Sequence, residues 1–126
     1  MEKAELLIRT KAFSLRILKL VDQMPKTAAG RAISNQLVRS GTAIGANYRA
    51  ACRGRSRAEF AAKGGVVAEE ADETVYWLEL ISEGGLVTEQ RLTDLLKEAN
   101  ELTAIFTSAR RTSSRSNVKP QPSNIS

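Results

Sequence analysis

Four arginines crowd the end of one short stretch: Arg49, Arg53, Arg55 and Arg57 stand within nine positions, just after Gly41 and Gly45. Glycines followed by cations suit two kinds of chemistry. One is a backbone cradle for phosphate, closed by a cation. The other is a helix pressed against its neighbour and ending in a basic cap. The cradle demands a strand, a glycine turn and a helix in the order GxxxxGK[ST], and that string is absent from the chain. The glycines therefore read as positions of close helix approach. The arginines, extended by Lys63, form a strip that could meet nucleic-acid phosphates without reading bases, or dock an acidic protein face.

The densest acidic cluster is Glu69, Glu70, Asp72 and Glu73. Three-residue spacing puts Glu69 with Asp72, and Glu70 with Glu73, on shared helix faces. Two-metal bundles hold ions with such carboxylates but add Glu-x-x-His pairs, and this chain has no histidine. That lack also removes the commonest general base and metal ligand. It leaves the single cysteine, Cys52, with no imidazole to activate it, so Cys52 reads as a small packing residue. No enzymatic activity, cofactor or metal is expected. Salt bridging to arginines suits the carboxylates better. Arg39, Ser40, Asn47, Glu70 and Glu73 are expected to form one structural polar network, tolerable only if every member is satisfied.

The charge is divided along the chain. Residues 1–57 hold 12 basic and 3 acidic groups, residues 58–109 hold 3 basic and 11 acidic, and the last 17 hold 4 basic and none acidic. Two halves of opposite sign can neutralise each other within the fold or between subunits, and the net +5 admits anionic partners. A length of 126 residues suits one domain, and the 5% aromatic content, with Ala and Leu as the main fillers, favours helices. No run is long and apolar enough to cross a bilayer, the N-terminus lacks a signal-peptide pattern, and one cysteine suits a reducing compartment. The expected location is the cytoplasm, with no membrane partner.

Four segments must position these groups. In the first, about Glu2 to Gln23, Leu6, Thr10, Phe13, Ile17 and Val21 recur at helical spacing, and Pro25 stops it. The second starts after Thr27, an N-cap, carries Ile33, Leu37, Ser40, Ile44 and Tyr48 on its inner face, and ends at Gly54 as a C′ residue. The third opens on the capping box Ser56-Arg57-Ala58-Glu59, continues through Val67, Ala71, Thr74, Leu78 and Ile81, and ends at Gly84-Gly85. The fourth follows Thr88 with Leu92, Leu95, Ala99, Leu102 and Phe106 inside. Each interior glycine costs about 1 kcal/mol against alanine, so a loop at Ser40-Gly41-Thr42 and a fifth helix compete. The face stays in phase from Leu37 through Ile44, which favours an unbroken helix. Short connections then make consecutive helices antiparallel. The expected fold is all-α, an up-down-up-down four-helix bundle over residues 1–111, followed by a disordered polar tail over 112–126.

Taken in order, Arg39-Ser40-x-x-x-Ile44-x-x-Asn47, Arg57-x-Glu59-Phe60 and Glu70-Ala71-Asp72-Glu73-Thr74-x-Tyr76-Trp77-Leu78-x-Leu80 resemble the four-helix-bundle family encoded in intervening sequences of bacterial 23S rRNA genes, also called S23-like. The resemblance spans about residues 5 to 110. It extends to the accessory variability protein of diversity-generating retroelements, a basic bundle that binds nucleic acid and a reverse transcriptase. It implies a protomer that assembles into a ring, typically a homopentamer, with no enzymatic activity and no settled cellular role. After Asn47 many members continue Ile-Ala-Glu-Gly, whereas this chain reads Tyr48-Arg49-Ala50-Ala51, a more basic strip.

Two readings of function stand at this point. The chain is a non-enzymatic oligomeric scaffold or protein-interaction bundle, or it is a bundle that binds RNA or DNA without sequence preference, as an accessory to a reverse transcriptase would.

Overall fold

The computed structural model describes the backbone of residues 1–118 and the side chains of residues 1–110 other than Glu89. It contains four helices, α1 (Lys3–Val21), α2 (Ala28–Cys52), α3 (Arg57–Glu83) and α4 (Glu89–Val118), and no strand among the described residues. α1 packs on α2, α2 on α3 and α3 on α4, while α1 meets α4 along a shorter stretch. α1 and α3 thus lie diagonally across the bundle, and each turns an outer face away from the other.

Local chemistry sets the helix ends. Thr27 accepts a hydrogen bond from the Gly30 amide at 3.0 Å, capping α2. Ser56 accepts from the Glu59 amide at 3.1 Å, capping α3, and Glu59 Oε1 reaches back to the Arg55 amide at 2.6 Å. α3 closes at Gly85, whose φ of +66° is a left-handed conformation that glycine adopts without penalty. The Leu86 amide then donates to the Ile81 carbonyl at 3.0 Å. Gly54 stands at the C′ position expected of it, directly after the C-cap Arg53, but its φ is not positive. Its missing side chain instead makes room for Glu59, whose Cβ would lie 3.2 Å from a Cβ built there.

α2 runs unbroken through Gly41, so the five-helix alternative is excluded. The reason lies in α1. A Cβ at Gly41 would stand 2.9 Å from Cγ1 of the fully buried Ile17, and one at Gly45 would stand 3.3 Å from the Thr10 carbonyl oxygen. Gly41 lets the α2 backbone close on an α1 side chain and Gly45 lets it close on the α1 backbone, and the dispersion attraction of that close seat offsets their poor helix propensity. The core is one cluster of Leu, Ile, Val, Ala and Phe side chains from all four helices.

At the other end of the chain, α4 continues past Arg111, where the sequence reading ends the bundle, as far as Val118. Of the tail expected over 112–126, residues 119–126 lie outside the described residues.

Candidate functional site

The turn between α2 and α3 builds a basic corner. Arg49 lies in the last turn of α2, Arg53 is its C-cap, Arg55 sits in the turn, and Arg57 is the first residue of α3. All four are exposed, as is Lys63 in the second turn of α3. None of the five takes part in an ion pair among the described residues, whereas Arg9, Arg39 and Arg110 each find a carboxylate. Arg49 and Arg53 complement the carbonyl end of α2. Arg55 and Arg57 sit instead at the amide end of α3, where a cation meets a like field. The corner therefore concentrates positive potential, with Glu59 the one acidic residue between Arg49 and Lys63.

Arg49 and Arg53 also flank a groove of about 450 Å³ between α1 and α2. Leu7, Ile8, Ser14, Gly45, Ala46 and Cys52 line its interior, and Lys11 adds a third cation. The structure thus joins Arg49 and Arg53 to a lysine that sequence reading missed, while Arg55, Arg57 and Lys63 are not among the groove's lining residues. A spacing signal for Lys11 existed only in hindsight of the α1–α2 contact. Cys52 packs beside Tyr48, whose hydroxyl pKa is pushed up to about 12 by burial, with the hydrogen bond to Cys52 adding to it.

The polar network divides in two. In the first part Arg39 pairs with Glu73 through a short hydrogen bond and stands 3.2 Å from Glu70 Oε1. Glu73 also accepts from the Trp77 indole at 3.0 Å. Glu70 Oε2 accepts from Arg39 at 3.3 Å, while its Oε1 is buried without a hydrogen bond of its own. In the second part the Ser40 and Thr74 hydroxyls pair 2.9 Å apart, fully buried between α2 and α3, and Thr74 also donates to the Glu70 carbonyl at 2.8 Å. Asn47 belongs to neither: its amide donates to the Ala43 carbonyl of its own helix at 2.9 Å. A polar residue on an apolar face can satisfy itself one turn back, and Asn47 does so.

Sequence reading also missed the tie between α1 and α4, where Arg9 donates to Glu98 at 2.6 and 2.8 Å and to Glu101 at 2.7 Å. The 89 positions between Arg9 and Glu98 left no local signal. Among the described residues no cluster of carboxylates and cysteine is arranged to hold a metal ion, and no helix is long and apolar enough to cross a membrane.

The Arg39 hydrogen bond, followed by that of Trp77, holds the Glu73 pKa below its ordinary value. A lowered carboxylate pKa adds stability above the ordinary glutamate value of about 4.3, and that contribution is lost as pH falls through the lowered value. Between about pH 6 and pH 3 the parent chain should therefore lose stability more steeply than Glu73→Gln. Chemical denaturation at a series of pH values reads this directly; parallel curves would mean that Arg39 and Trp77 do not hold the Glu73 carboxylate.

The family of 23S rRNA-intervening sequence proteins matches the chain over residues 2–108. A crystal structure of a protein of unknown function from the S23 ribosomal protein family, from Bacteroides thetaiotaomicron VPI-5482, shares 32% identity with it at a TM-score of 0.76. The match covers 82% of this chain and 96% of that one. No curated protein matches. With ordered motifs, four helices and this likeness together, the chain belongs to the 23S rRNA-intervening sequence protein family.

Proposed function

We propose that this protein is a non-enzymatic building block, a helical bundle that joins copies of itself into a closed ring and serves there as a scaffold. One observation supports the reading above others. On α1, Ile8, Leu15 and Leu18 are 72%, 54% and 45% exposed, on the side away from the core in a stripe that Lys11 interrupts. A stripe of this kind on a surface helix marks an interaction surface. The family resemblance puts the number of copies at five, and the free Cys52 suits a reducing cytoplasm. Light scattering of the purified chain across micromolar concentrations should give a multiple of the 13.7 kDa protomer mass. A ring closed on apolar contacts should persist at high salt. A monomer throughout would overturn the reading.

A second reading is favoured by the unpaired cations of the corner. Arg49, Arg53, Arg55 and Arg57 would bind nucleic-acid phosphate without sequence preference, and a ring would multiply weak contacts into avidity. The likeness to the retroelement accessory protein extends this reading to partnership with a reverse transcriptase.

A further inference from the structure

The apolar stripe of α1 has a counterpart of opposite charge. Ile8, Lys11, Leu15 and Leu18 repeat at alternating spacings of three and four, the heptad phase of a coiled-coil seam. On the outer face of α3, Val66, Glu69, Glu73 and Tyr76 repeat in the same phase. Val66 and Tyr76 are 36% and 53% exposed. Resting on the scaffold reading, we propose that the α1 seam of one copy packs along the α3 seam of the next, so that the interface joins two different faces.

The two seams match in chemistry at three of four positions. Ile8 falls opposite Val66, Lys11 opposite Glu69, Leu15 opposite Glu73 and Leu18 opposite Tyr76. Apolar pairs close both ends and a lysine–glutamate pair sits between them. Glu73 can lie under a leucine because its carboxylate is already held by Arg39 and Trp77. Tyr76 is braced by an edge contact with Trp77, ring centroids 5.2 Å apart.

Height along the bundle agrees. Leu6 and Phe60 line one cavity near one end, and Gln23 and Ser82 line another near the opposite end. The ammonium of Lys3 lies 5.9 Å from the Phe60 ring centroid. α1 and α3 therefore run parallel, and each proposed pair stands at nearly one height. A rotation about an axis along the bundle keeps both height and direction, so it can bring the seams of neighbouring copies together. Placement on two different helices puts the seams on different sides of the protomer, as a heterologous contact requires; the contact closes a ring where the two faces stand at an angle rather than directly opposed. Self-pairing is disfavoured by charge: α1 carries Lys3, Arg9, Lys11, Arg16 and Lys19 against Glu5 alone, and the α3 seam is acidic.

The test places thiols on the seams in a Cys52→Ala background. Ile8→Cys and Val66→Cys, both at exposed positions, are made singly and together and treated with a short bismaleimide. The combined variant should give a ladder of covalent multimers on a denaturing gel, while each single variant stays at protomer mass. A cross-linked dimer from either single variant would mean a self-paired face and overturn the inference. An uncross-linked combined variant that light scattering still finds multimeric would overturn the seam and leave the scaffold reading standing. A parent chain that is monomeric in light scattering would remove both.

Discussion

Leucine at Gly41 should lower the stability of the bundle by about 2–3 kcal/mol, the upper range for overpacking a filled core. The Cβ alone would stand 2.9 Å from Ile17 Cγ1 and 3.1 Å from Cγ2. Those atoms branch directly from the Ile17 Cβ, and a β-branched residue in a helix has essentially one χ1 rotamer. Ile17 cannot swing aside, so α1 and α2 must part. The gain in helix propensity, about 1 kcal/mol, opposes this and is smaller. Combining Gly41→Leu with Ile17→Ala should recover part of the loss, a coupling of about 0.5–3 kcal/mol for residues in contact. Gly64→Ala supplies a control of opposite sign. Nothing lies within 4 Å of a Cβ built at Gly64, so alanine there should stabilise by about 0.5–1 kcal/mol. Urea unfolding at one fixed protein concentration measures these three variants, with the single Ile17→Ala completing the cycle. A neutral Gly41→Leu would mean that α1 is not seated on α2 as described.

That contrast also marks what the sequence could and could not reveal. The 3.6-residue period of the apolar faces delivered all four helices, because a stripe such as Leu6, Phe13, Ile17 needs only one chain segment to be seen. The N-caps Thr27 and Ser56 and the stop at Gly85 are equally local. Gly41 and Gly64 look alike in sequence, and only the helix opposite separates a tight seat from open space. The same limit explains Asn47, which faces the apolar side but needs no partner beyond Ala43. The charge division between the halves pointed to cross-pairing, and Arg39 with Glu70 and Glu73, and Arg9 with Glu98 and Glu101, follow it. Which arginine meets which carboxylate depends on helix offset and rotation, which no local pattern carries. The end of α4 fell short for a different reason: Thr112 to Val118 has no apolar stripe, and helix there continues without one.

Arg53→Glu combined with Arg55→Glu should abolish most binding to RNA and DNA, if the corner is the phosphate-binding surface. Both side chains are exposed and unpaired among the described residues, so reversing them breaks no ion pair. Arg53 sits at the carbonyl end of α2, where glutamate costs about 0.3–1 kcal/mol; Arg55 precedes the amide end of α3, where glutamate gains a similar amount. Helical content by circular dichroism should therefore hold. On duplex DNA each lost phosphate contact flattens the dependence of log K on log salt by about 0.9, so two lost contacts flatten it by about 1.8 per engaged protomer. The effect should be alike for mixed-sequence RNA and DNA, since no base-reading helix accompanies the arginines. Binding equal to the parent's would make the corner a solvated cap. A variant that binds nothing but also falls from multimer to protomer would place the arginines in the subunit contact. Loss of the proposed subunit contact and loss of phosphate contacts are separable by light scattering at high salt, where phosphate contacts are screened and the Ile8–Val66 and Leu18–Tyr76 contacts of the proposed seam are not.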